Sequence, residues 1–133
     1  MSTAEGRAAN EAHIVDLLQA WARSVQARDL DGILAHHAHD LVMFDVPPPV
    51  KLQGIDEYRN SWQAFLEWLG ESGVFDVGDV SVIAGDDVAW CRALVRCVGA
   101  NADGELLVRL TVGYRKIDDQ WTAIHEHHSV PAA

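Results

Sequence analysis

The stretch VRLTVGYRKIDDQWTAIHEHHSVP, Val108 to Pro131, governs how the chain is read. In its first half Leu106, Val108, Leu110, Val112 and Tyr114 alternate with Leu107, Arg109, Thr111, Gly113 and Arg115. A period of two with one apolar set is the pattern of a strand buried on one face. Asp118-Asp119 marks a turn, and Trp121 to Val130 is the returning strand. With a two-residue loop, Val112 faces His125 and Leu110 faces His127. His125, His127 and Ser129 then share the inner face with Trp121 and Ala123, while Glu126 and His128 lie outside with Arg109. One extra residue in either strand would exchange the two sets.

Working outward, two further strands precede this pair. Phe75 to Ala84 ends at Gly85-Asp86-Asp87, and Val88 to Val98 ends at Asn101 to Gly104, after which Glu105 to Lys116 begins. The N-terminal half is different. Ile14, Leu17, Leu18, Trp21, Ala22 and Val25 recur at helical spacing, and Asp29 can cap a second helix from Leu30 to His37. LVMFDVPPP, residues 41–49, is a strand that its prolines must end. A third helix runs from Ile55 to Leu69, with Gly70 near its C-cap. Three helices, then strands without βαβ alternation, make an α+β fold: three N-terminal helices on one face of a strongly curved, mainly antiparallel sheet. Residues 1–133 form one domain, with 1–9 expected to be flexible.

At 133 residues, 49% hydrophobic and 23% charged, the chain can bury a core and a small pocket. Its net charge of −10 repels phosphate backbones and anionic membranes, so neither nucleic acid nor membrane is an expected partner. No apolar run reaches signal-peptide or membrane-span length, and a soluble cytoplasmic protein is expected. Cys91 and Cys97, about 20 Å apart along one strand at ~3.3 Å per residue, cannot pair within it and are expected as small core residues.

The histidine cluster poses the chemical question. A metal centre needs three or four converging ligands, whereas strand parity gives at most two per side, and no metal is called. Asp45 lies among Met43, Phe44 and Val46, one residue before the prolines. Apolar surroundings make a carboxylate a better base near neutral pH; the alternative is an Asp that closes a turn on its own backbone. Arg92 and Arg96 share a strand face with Trp90 and Leu94, as an anion site or as a solvated or interface face. Trp21, Trp62, Phe65 and Trp68 are helix-core aromatics, some of which can line a cavity.

The order of elements, together with RDLDGILAHHAHDLVMFDVPPP and VRLTVGYRKIDDQWTAIHEHHSVP, resembles the SnoaL-like, ketosteroid-isomerase-related group of the nuclear transport factor 2-like superfamily. The resemblance covers nearly the whole chain and implies a cystatin-like cone. It also places Asp45 at the position of the steroid isomerases' base, Trp21 at that of their oxyanion tyrosine, and Val112 near that of their protonated aspartate. Both of that family's oxyanion donors are therefore replaced here. The terminal His-Ser pattern is also similar to the kinase-association and iota-class carbonic anhydrase branches of the superfamily.

The expected function is a small-molecule enzyme of the isomerase or cyclase type, with lyase and hydrolase chemistry also within the fold's range. It uses no cofactor. Asp45 is the base and His125 and His127 are the imidazoles, facing a pocket lined by Trp21, Met43, Trp62, Phe65, Leu110, Val112 and Ser129. The ligand is a small apolar or carbonyl-containing molecule, and the protein is a homodimer with Arg109, Glu126 and His128 on the interface side. The alternatives are a non-catalytic ligand-binding or dimeric interaction module of the same fold, and a metal-dependent enzyme with Asp45 as third ligand.

Overall fold

The computed structural model describes residues 3–132. Helix α1 spans Ala4–Gln26, opened by the Thr3 side chain accepting from the Gly6 N–H. Of residues 1–9, expected to be flexible, 4–9 are the exposed first turns of this helix, and 1 and 2 lie outside the described residues. Its buried stripe is Ile14, Leu18, Trp21, Ala22 and Val25, the set that the spacing requires. Helix α2, Leu30–Leu34, is capped by Asp29 and ends three residues earlier than expected. His36 then adopts φ 61°, and the chain turns directly into β1, His37–Phe44. The polar run His37 to Asp40 hid the start of this strand. After the proline turn come β2, Leu52–Gln53, and α3, Ile55–Leu69.

The remaining strands are β3, Val74–Ala84; β4, Val88–Val98; β5, Leu106–Ile117; and β6, Gln120–Ser129. They form one sheet in the order β2-β1-β6-β5-β4-β3, antiparallel except for β1 beside β6. The helices cover its inner face, where Cys91, Ala93, Val95 and Cys97 of β4 meet Val108, Leu110, Val112 and Tyr114 of β5. Both cysteines are buried and free.

Two irregularities bend the sheet. In β3, Gly78 pairs with Leu94 and Ser81 with Arg92, so one residue is extra, and Asp79 takes φ 51°. In β6, Tyr114 pairs with Ala123 but Gly113 pairs with His125, leaving Ile124 unpaired. Beyond this bulge Val112 faces Glu126 and Leu110 faces His128. The inward placement expected for His125 and His127 is therefore corrected: Trp121, Ala123, Glu126 and His128 point in, while His125 and His127 lie with Gly113 and Thr111 on the outer face.

Candidate functional site

A cavity of about 680 Å³ lies between α3 and the inner face of the sheet. Sheet residues Met43, Val108, Val95 and Phe75 form its floor, and Trp62, Phe65 and Trp68 of α3 form its roof. Its rim is the turn Asp45 to Pro49. This volume suits a drug-sized molecule, and the walls are mainly aliphatic and aromatic, as in most small-ligand sites. Trp62 anchors the roof through edge contacts with Trp21, Phe65 and Phe75.

Asp45 and His128 both line this cavity. Met43 pairs with Glu126 and Phe44 with His127, so Asp45 and His128 are the next residues of two neighbouring strands where β1 ends. Asp45 is half-buried, and its Oδ1 accepts the Val46 N–H at 2.8 Å. The turn-closing reading and the pocket reading of this residue are thus both realised. It stands at the rim instead of being enclosed by its apolar neighbours.

Behind His128 is a buried polar cluster. Glu126 is 1% exposed, and its two oxygens are divided among three donors. His128 Nε2 donates to Oε1 at 2.9 Å, while Tyr58 Oη at 2.7 Å and His37 Nε2 at 2.5 Å donate to Oε2. Tyr58 in turn accepts the Trp21 indole N–H at 3.1 Å, and its ring stacks on His37 at 4.8 Å. His37 Nδ1 meets the Ala35 carbonyl at 2.9 Å, and a carbonyl only accepts. With a carboxylate at its other nitrogen, His37 donates at both and is an imidazolium.

Burial alone would raise the Glu126 pKa, but the charge of His37 and the hydrogen bonds from His128 and His37 outweigh it and hold the carboxyl well below its usual range. Burial alone would lower that of His37, and Glu126 reverses this, keeping the imidazole above its usual value. Tyr58 is pushed well above the ordinary phenol by burial and by the Glu126 charge, so it stays a donor. For His128, Nε2 is held by Glu126, and Nδ1 has no hydrogen-bond partner among the described residues, in a residue that lines the cavity. Burial pushes the Cys97 thiol, also in the wall, up to about 11, so it is no nucleophile near neutral pH.

The other expected site residues fall in three groups. Met43, Trp62 and Phe65 line the cavity with Asp45. Trp21 and Val112 are buried beside a smaller cavity of about 160 Å³ that Glu126 and His37 also line, and Leu110 is packed core. Ser129 lies outside, where Arg109 donates to its Oγ at 3.1 Å. Arg109 is thus on the outer face as expected, without Glu126 and His128. His125 Nδ1 meets the Val42 carbonyl at 2.7 Å, and both outer histidines lie against Phe44. Sequence reasoning gave Glu126 and His128 to the wrong face and gave His37 and Tyr58 no role. Gly113 was the available signal, because an isolated glycine in a strand often marks a bulge. Among the described residues, no group of three or more His, Cys, Asp or Glu is placed to hold a metal ion.

The SnoaL-like domain profile matches residues 14–133. The chain belongs to the SnoaL-like family. A nuclear transport factor 2-like protein of unknown function from Pseudomonas putida KT2440 is 33% identical, with 95% of this chain and 89% of that one covered and a TM-score of 0.88. A protein provisionally named a ketosteroid isomerase, from Parabacteroides distasonis, is 20% identical over 89% and 85% of the two chains, TM-score 0.70. A provisionally named dehydratase of the nuclear transport factor 2-like family, from Streptomyces avermitilis, is 19% identical over 94% and 98%, TM-score 0.77. Among curated proteins, none matches the chain. These likenesses bear out the α+β, cystatin-like architecture and the family expected from the sequence. In addition, no helix among the described residues is long and apolar enough to cross a membrane.

Proposed function

We propose that this SnoaL-like protein is a cofactor-independent enzyme of the isomerase or cyclase type, moving protons on a small carbonyl-containing molecule in the α3 cavity. The observation that carries this reading is that Asp45 and His128 line one cavity, with the Nε2 of His128 held by Glu126. The Asp45 carboxylate takes the proton α to the carbonyl. His128, with a proton on Nδ1 as well as Nε2, donates a hydrogen bond from Nδ1–H to the carbonyl oxygen as the enolate forms and keeps that proton. Glu126 keeps the ring oriented and offsets its positive charge when Nδ1 is protonated. The Asp45 proton then returns to a different carbon, which completes an isomerisation. His128 thus takes the part that the sequence suggested for His125 and His127, and the indole of Trp21 serves Tyr58 instead of substrate.

An open cavity with two such groups favours catalysis over a ligand-holding module, in which the same volume would be filled or lack proton-transfer groups. The test is turnover of a panel of cyclic ketones and polyketide-like compounds by the wild type, Asp45→Asn and His128→Gln. Unchanged turnover in both variants on an active compound would remove this mechanism. We further propose a cytoplasmic homodimer joined through the outer sheet face. There Phe44, Trp90, Leu94 and Leu107 are each more than a third exposed, more apolar surface than a solvated sheet face usually shows.

A further inference from the structure

The charges around the cavity limit what can enter it. Besides the Cys97 thiol, its ionisable lining consists of Asp45, Glu57 and His128, and among the described residues no Lys or Arg lines it. Lys51 and Arg59 sit on the adjoining segments, exposed and outside the lining.

Two backbone donors at the mouth are also committed. The Val46 N–H points to the Asp45 carboxylate, and the Gln53 N–H reaches Glu57 Oε1 at 3.2 Å. The start of α3 would ordinarily attract an anion, but Asp56 and Glu57 occupy its first turn. An incoming carboxylate, sulfate or phosphate would therefore meet two carboxylates, half-buried Asp45 and exposed Glu57, with no Lys or Arg in the lining to offset them. The protein's net charge of −10 adds to this at longer range.

The opposite end of the cavity carries no charge. Beyond His128 the lining passes to Phe65, Trp68, Phe75, Cys97 and Leu106. Aromatic and thiol surface of this kind favours a flat, apolar ring body.

We propose that the cavity selects against anions and takes a one-ended polar ring compound, neutral or cationic: its oxygen or amine at the Asp45–His128 end, its ring body toward Trp68. Anionic analogues are rejected by Asp45 and Glu57. Free carboxylic acids, and acyl groups delivered on a phosphate-bearing carrier whose arm would cross this mouth, are excluded as substrates. The inference rests on the α3 cavity being the ligand site, but not on any reaction there.

The experiment is calorimetric titration at pH 7.5 with three compounds on one skeleton: 2-tetralone, tetralin-2-carboxylate and 2-aminotetralin. The ketone should bind, the amine should bind no more weakly than the ketone, and the carboxylate should bind at least about tenfold more weakly. In the Asp45→Asn/Glu57→Gln double variant the gap between carboxylate and ketone should narrow to about threefold or less, and retained ketone binding reports an intact fold. Carboxylate binding equal to or tighter than ketone binding would overturn the proposal, as would an unchanged gap in the double variant or no binding by any of the three. Binding with the expected order but no turnover would instead remove the proposed reaction and leave this selectivity standing.

Discussion

Glu126 sits opposite Val112 on the inner face of the sheet because Ile124, unpaired in β6, shifts the register by one residue. Without that bulge the turn at Asp118-Asp119 would bring His125 to Val112 and leave Glu126 in solvent. The bulge lets one strand put both an apolar pair, Trp121 and Ala123, and a polar pair, Glu126 and His128, on the same side. A charged carboxylate inside a core is tolerated only with partners, and His37, Tyr58 and His128 supply them.

The first prediction concerns this cluster. Glu126→Gln removes the charge facing His37 while keeping the shape, leaving a buried imidazolium without its counter-ion. Removing one member of a buried pair typically costs about 3 to 5 kcal/mol. Urea unfolding at pH 6 should show a loss of about this size. A loss below about 1 kcal/mol would mean that the charge is not needed at that site.

The same pair sets a pH window for stability. Glu126 is depressed when folded, so its contribution is present above the unfolded value of 4.5 and is lost as pH falls through the folded one. His37 is raised when folded, so its contribution is present below the unfolded value of 6.5 and is lost as pH rises through the folded one. Both are complete between these values. Unfolding free energy measured against pH should be highest there, and the curve should flatten in Glu126→Gln.

Activity should separate the four histidines of the two faces. On any compound the wild type turns over, His128→Gln should lower kcat by about 100-fold or more, the usual scale for a lost acid/base group. His125→Gln and His127→Gln, on the outer face, should change it by less than about threefold, a loss below roughly 1 kcal/mol. His37→Gln should act on stability first. A large kcat loss in His127→Gln with His128→Gln active would restore the unbulged register.

How far the sequence led can be read from five residues. Leu69 ends a helix and Val98 a strand where periodicity and Gly70 or Asn101 predict, because apolar spacing and turn chemistry are local signals. Asp45 was legible from its own neighbours, and the structure puts it at the cavity rim. Glu126 was not, because its side depends on whether β6 carries one residue more than its turn requires, which is decided across strands. His37 was missed for a related reason. Its partner is 89 positions away, and the second helix expected from Leu30 to His37 put it at a helix end.

The last prediction addresses the outer face of β4 and β5. Leu107 is 50% exposed and is paired with Arg96, which in turn holds Glu105, so apolar and charged side chains alternate across the surface. Such a face is self-complementary under a two-fold axis, since a single patch supplies both signs of charge and the apolar surface. Sedimentation at micromolar concentration should show a dimer. Leu107→Glu adds a buried carboxylate on each side of the two-fold and should move the equilibrium to monomer, with the inner cavity and its ligand binding retained. A wild-type monomer under these conditions would leave Trp90, Leu94 and Leu107 without the partner proposed for them.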